Sequence, residues 1–234
     1  MGLDRLLAYH GGVCGRYTLT VDASVLATVF GLDPSQGYRA RYNIAPTQVV
    51  PIVRRSSDLP RIWTDARWGL VPPWAKDVKM GARLINARGE TAAFKPSFKS
   101  AVKHRRCLVP ADGFYEWVKT GSGKQPYYIH FEDRRPFAFA GLWERWGEDR
   151  GSPLETFTII TTRANALIAP LHDRMPVILP PGQFKDWLAP RPFDPARLEA
   201  LIVPHNADGM VARPVSNRVN SPANDDPACI RPMH

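Results

Sequence analysis

Short runs of β-branched and aromatic residues, cut repeatedly by proline or glycine, constrain this chain more than any other feature. The candidate strands are residues 15–20, VVPIV (49–53), RIWTDARWGL (61–70), YYIHF (127–131), FAFAGLW (137–143), TFTIIT (156–161) and PVIL (176–179). Such runs fit strands that are at least half buried. The 23 prolines and 17 glycines scattered along the chain demand many tight turns. Helical patterning is shorter. Asp22 is placed to cap a helix in which Val25, Leu26, Val29 and Phe30 share one face, with Gly31 ending it. Further helical patterns cover 94–104, 164–170, 182–189 and 195–202. Strands and helices do not alternate regularly. The expected class is therefore α+β, a single domain of mainly antiparallel, barrel-like sheet with flanking short helices. The Gly/Ser stretch at 121–124 reads as a hairpin connection rather than a linker.

At 234 residues and 44% hydrophobic, the chain can bury one sizeable core. No apolar stretch reaches the roughly 18 residues of a membrane span, and MGLDRLLAYHGG at the start lacks the apolar centre of a secretory signal. A cytoplasmic protein without membrane contact is expected. Cys14, Cys107 and Cys229 are odd in number and widely spaced, which argues against a disulfide framework or structural zinc. No metal or cofactor is expected. Residues 1–120 hold 18 Lys+Arg against 9 Asp+Glu, while residues 121–234 hold 13 against 13. The net charge of +9 thus arises in the first half. A basic surface there would either concentrate a polyanion such as nucleic acid or remain a solvated face.

Four stretches combine reactive side chains with strand-end or loop context: CGR (14–16), LINARGET (84–91), GFYEW (113–117) and LHDRMP (171–176). Cys14 is either a small buried hydrophobe or a nucleophile. Glu116 lies between aromatics. Turned inward, its carboxyl would have the raised pKa of a general acid; turned outward, it would be an ordinary solvated carboxylate. His172 is either a general base or a surface turn residue. Asn86, Arg88 and Glu90 alternate along one strand face and can line a single cleft. Cysteine, histidine, glutamate and asparagine together point to a thiol-dependent enzyme.

The ordered series CGRYTL, RYNIAPTQ, WGLVPPW, LINARGET, FKPSF, RRCLVPADGFYEW, a threonine after FTII, LHDRMP and PVSNRVN runs from residue 14 to near the C-terminus. It resembles the SOS response-associated peptidase family, abasic-site sensors that crosslink themselves to single-stranded DNA. The resemblance implies a single α+β domain. It makes Cys14 the nucleophile and mature N-terminus, Asn86 the residue that orients it, and Glu116 and His172 the acid/base groups. It places Arg16, Arg88, Thr161 and Arg174 on the DNA backbone, and Pro46 and Trp74 against bases at a bend. Ala75 stands where the family's form has a second aromatic. The partner implied is single-stranded DNA, or a single-strand/duplex junction, carrying an abasic site and bound by a monomer that joins the nucleoid when on DNA.

An abasic site opens to an aldehyde. A free α-amine can condense with it, and a thiol on the same residue can then close a thiazolidine ring. An internal cysteine offers only an amide nitrogen, whose lone pair is delocalised. Residues 1–13 are therefore expected to be an extra segment absent from the mature protein, with residues 14–234 as the working domain. Initiation at Val13 is the favoured route, and self-cleavage of the Val13–Cys14 bond is the other. The same Schiff base could also nick the strand as a lyase. Two other classes stay open: a general thiol peptidase using Cys14 and His172, and a non-catalytic single-strand binder.

Overall fold

The computed structural model describes residues 14–234 apart from 35–36, 122, 149–150, 152, 191, 193–194 and 234. The expected extra segment, 1–13, lies outside the described residues, as does part of the 121–124 hairpin loop.

The chain begins with β1 (Arg16–Leu19) and α1 (Ala23–Phe30), which ends as expected at Gly31 in the left-handed conformation. Strands β2 (Arg41–Ile44), β3 (Val49–Arg54), β4 (Ile62–Trp68) and β5 (Asn86–Arg88) come next. Two short helices, α2 (Gly89–Ala92) and α3 (Lys99–His104), precede five long strands. These are β6 (Arg106–Ala111), β7 (Gly113–Thr120), β8 (Gly123–Phe131), β9 (Phe137–Trp146) and β10 (Leu154–Arg163). The remainder comprises β11 (Arg174–Pro176), β12 (Ile178–Leu179), α4 (Phe184–Trp187), α5 (Pro195–Leu201) and β13 (Met210–Pro214).

One sheet has the order β13-β8-β7-β1-β2 and is antiparallel throughout. In the other, β10, β4, β3, β6 and β9 close into a five-stranded ring, because β9 pairs back onto β10. Within that ring only β4–β10 is parallel. Closure leaves the ring no open edge. The α+β class, mainly antiparallel and barrel-containing, is the observed architecture.

Tyr17 of β1 joins the two sheets. Its ring meets Trp68 edge-on at 5.2 Å and Phe139 at 5.9 Å, and Trp68 stacks on Phe157. Such pairs add about 0.5–1.5 kcal/mol each beyond their burial. Asp112, between β6 and β7, pins the corner: its carboxylate accepts from Thr18 Oγ1 and from the N–H and hydroxyl of Thr20. Gly113, the next residue, has no room for a side chain, since a Cβ there would lie 2.4 Å from the Tyr128 ring.

Several expected elements differ. The 94–104 pattern forms a helix only over Lys99–His104. The 164–170 pattern is a series of turns, because Asn165 Oδ1 accepts the Ile168 N–H and Pro170 stops propagation. The 182–189 pattern condenses to α4 after a 3₁₀ turn. PVIL splits at Val177, whose N–H donates to Ile160 O while its carbonyl accepts from Ala140. No helix among the described residues is long and apolar enough to cross a membrane.

Strand β10 is shared between two sets of neighbours. Its first half lies between β4 and β9, and its second half between β5 and β11. Thr161 is thereby registered with Arg88 on one side and Pro176 on the other.

On β8, His130 is buried with its ring 4.8 Å from that of Tyr128, and its Nδ1–H donates to Phe131 O. Its Nε2 has no hydrogen-bond partner among the described residues. Burial lowers its pKa below the ordinary 6.5, so the folded ring is neutral. A lowered histidine pKa means that stability is complete above the unfolded value and is lost as pH falls through it. The melting temperature is expected to drop below about pH 6.5, and His130→Phe is expected to flatten that drop. An unchanged acid limb in the variant would assign the loss to other groups.

Candidate active site and anion-binding rim

Cys14 lies just before β1, and β1 pairs with β7 so that Arg16 opposes Tyr115 and Tyr17 opposes Phe114. Its φ of 45° is left-handed, which costs a non-glycine residue about 1–2 kcal/mol. In this conformation the Cys14 N–H donates to Glu116 Oε1 at 2.7 Å. That nitrogen is the peptide nitrogen after Val13 in the printed chain, and the α-amine in a chain beginning at Cys14.

Alternation along β7 puts Tyr115 into a small cluster with Tyr128, Val215, Val219 and Cys229. Phe114 and Glu116 take the opposite face, where Phe114 joins the main core. Glu116 is 3% exposed. Burial pushes its carboxyl up to about 8, aided by the Asp173 charge and opposed by the Cys14 N–H. Burial, and then the Glu116 charge, pushes the Cys14 thiol well above its ordinary value. The thiol is thus held neutral at physiological pH.

His172 comes after the turns that leave β10, with its N–H donating to Ile168 O. Its Nδ1 lies 2.8 Å from Asp173 Oδ1 and 3.0 Å from the Arg174 nitrogen. An unprotonated Nδ1 accepts the Arg174 N–H, whereas a protonated one donates to Asp173. Asp173 also acts on Glu116 through its charge, which brings the His-Asp-Arg turn within electrostatic reach of the Cys14–Glu116 pair.

Asn86 is half-buried on β5 opposite Ile159, and Arg88 is exposed at the strand's end. The strand stops there, so Glu90 sits on the first turn of α2 rather than continuing the alternation. Its carboxylate grips Arg174 bidentately, Nη1 to Oε1 at 3.1 Å and Nη2 to Oε2 at 2.8 Å. Arg174 also donates from Nε to Thr161 Oγ1 and from Nη2 to Thr161 O. Thr161 itself is buried. Arg16 donates to Asn43 Oδ1, Val219 O and Asn220 O, tying β1 to the C-terminal segment.

Pro46 is partly buried in the turn after β2. Trp74 is 58% exposed on the loop after β4, which is fixed by Trp146 Nε1–H donating to Ala75 O. The structure therefore joins Cys14 to Glu116, sets the Asp173 charge of the His172 turn within electrostatic reach of Glu116, and lines Asn86, Arg88, Thr161 and Arg174 along the end of β10. The partners missed by sequence reasoning are Asp173 and Glu90's grip on Arg174. Both residues lie inside motifs already singled out, LHDRMP and LINARGET, but the Asp173 charge on Glu116 and the Glu90–Arg174 pair join distant segments. Among the described residues no group of three or more His, Cys, Asp or Glu side chains is placed to hold a metal ion.

This chain belongs to the SOS response associated peptidase (SRAP) family, whose profile matches residues 13–222. It is 44% identical over 222 residues to the abasic site processing protein YoqW of Bacillus subtilis (strain 168), covering 93% of this chain and 99% of that one. The abasic site processing protein HMCES of Gallus gallus is 34% identical over 264 residues, covering 94% of this chain and 78% of that protein. A solved structure from Bacteroides thetaiotaomicron, 28% identical, superposes with a TM-score of 0.82 and covers 94% of this chain and all of that one.

Arg16 tests how far one of the candidate arginines is structural. Arg16→Ala removes charged hydrogen bonds, each worth about 1.5–3 kcal/mol, and is expected to lower the urea midpoint clearly. An unchanged midpoint would mean that these hydrogen bonds do not hold the fold together.

Proposed function

We propose that this chain processes abasic sites in single-stranded DNA by covalent capture through Cys14 as its mature N-terminus. The observation that carries the reading is the 2.7 Å contact between the Cys14 nitrogen and a buried carboxyl whose pKa is raised to about 8. In a chain beginning at Cys14 that nitrogen is an α-amine, a group that ordinarily titrates at about 7.7–8.0, and it titrates with the buried carboxyl beside it as a coupled pair between which a proton can pass. The relatives named as abasic site processing proteins support the choice of substrate.

The amine adds to the open-chain aldehyde carbon to give a carbinolamine. The Glu116 carboxyl protonates the departing hydroxyl, water leaves, and a Schiff base forms. Sγ then adds to the same carbon while the thiol proton passes to the nitrogen. One water is lost overall. His172 protonates the sugar ring oxygen during opening, and Asn86 holds the cysteine. Arg88 meets phosphate and Trp74 stacks on a base, the latter worth ~1–3 kcal/mol. Strand nicking through the Schiff base is a branch of the same path.

A general thiol peptidase needs a thiolate, and the neutral, buried Cys14 thiol speaks against it. A passive strand binder needs no buried carboxyl with a raised pKa against the Cys14 nitrogen. Cys14 becomes terminal by initiation at Val13 and removal of the initiator residue, or by self-cleavage, in which water adds to the Val13 carbonyl carbon, the Val13–Cys14 C–N bond breaks to leave Val13 as a carboxylic acid, and the Glu116 carboxyl supplies the proton to the leaving Cys14 nitrogen.

The test mixes protein beginning at Cys14 with an abasic oligonucleotide. A heat-stable adduct is expected, with the summed mass less one water. Glu116→Gln is expected to slow its formation by about 10²–10⁴-fold. An equally stable adduct with Cys14→Ala would overturn the thiazolidine reading.

A further inference from the structure

The Glu90–Arg174 pair lies on the proposed DNA path but joins two protein groups. Arg174 is anchored: its side chain is 11% exposed and its Nε and Nη2 are held by Thr161. Glu90 is the looser partner, 44% exposed on the first turn of a four-residue helix. Its carboxylate accepts two nearly parallel N–H bonds from the fork. This is the geometry by which a guanidinium also holds a phosphate. Arg88, exposed at the end of β5, acts on the same carboxylate through its charge. Although burial works to raise the Glu90 pKa, the Arg174 hydrogen bonds, its own backbone N–H and the two arginine charges outweigh it and leave it lowered. One carboxylate thus sits under the influence of both rim arginines nearest the end of β10.

We propose that Glu90 is a built-in competitor for Arg174: its carboxylate takes the bidentate seat that a DNA phosphate needs, and strand binding exchanges one for the other. The Thr161 bonds keep the guanidinium in place while the exposed carboxylate swings away. The exchange filters anions. A small free anion must displace a tethered carboxylate of high effective concentration, and it gains only one contact by doing so. A strand brings several phosphates at once and bears the cost of the exchange across all of them. Glu90 is a positioning residue here, acting through Arg174, and the inference rests on the DNA-binding part of the proposed function.

The test uses a fluorescent single-stranded oligonucleotide without an abasic site, so that non-covalent binding is read apart from the crosslink. Binding of wild type and Glu90→Gln is followed across a KCl titration, with melting curves to establish folding and Glu90→Ala as a second variant. Glu90→Gln is expected to bind about fivefold more tightly at low salt, the scale of one partly exposed ion pair. Its salt slope is expected to steepen by about one counterion's contribution. Inorganic phosphate at matched ionic strength is expected to compete against the variant more than against wild type. In an Arg174→Ala background the gain from Glu90→Gln is expected to shrink to less than about twofold, because no guanidinium remains to be released. Equal or weaker binding by folded Glu90→Gln would overturn the exchange and make Glu90 a brace. A gain that persists undiminished without Arg174 would also overturn it. If wild type bound no oligonucleotide at low salt, the DNA-binding reading itself would fall and take this inference with it.

Discussion

The Cys14 N–H reaches Glu116 Oε1 only because β1 lies directly against β7 and carries the cysteine past the strand's end into a left-handed turn. The interaction places a hydrogen-bond donor on a carboxyl that the core has stripped of water. Desolvation raises the carboxyl pKa, and the donor partly offsets it. The rest of the molecule serves this arrangement. Asp112 clamps the corner from which β7 departs, and Gly113 lets Tyr128 pack against the strand without a clash. Tyr17, three residues after the cysteine, locks β1 onto the aromatic lining of the ring.

The second half of β10 carries the other group of candidate residues. Strands β5 and β11 flank it, so residues far apart in sequence line one rim. The three candidate arginines differ in what holds them. Arg88 is exposed, Arg16 is bonded to side-chain and carbonyl oxygens of the β2 and C-terminal segments, and Arg174 is gripped by Glu90. A count of basic residues overstates what such a rim offers a polyanion at first contact, because some of that charge is already employed within the protein.

Apolar runs made β3, β9 and β10 legible in the sequence, since strands buried by sheet closure need little polar alternation, while β-branched and aromatic residues in RIWTDARWGL and YYIHF marked β4 and β8. Strands β6 and β7 were harder to see because Pro110, Glu116 and Lys119 interrupt the pattern. The turn-forming stretch at 164–170 has helical periodicity, but Asn165 and Pro170 override it locally. At the site, the motifs named the residues but not their surroundings. Alternation fixed that Glu116 shares a face with Phe114; it could not say that this face is the covered one. The partners of Arg16 and Arg174 lie 27 to 204 and 13 to 84 residues away, and only folding brings them together.

Everything proposed for Cys14 depends on the protonation of Glu116. Carboxyl carbon chemical shifts of the glutamates, followed against pH in the full 234-residue chain with Glu116 assigned by its Gln variant, read it without any substrate. The predicted Glu116 midpoint is about 8, against an ordinary value of 4.5. A midpoint at the ordinary value would mean that the carboxyl is solvated and holds no proton to give at neutral pH, and the acid/base role proposed for Glu116 would fall.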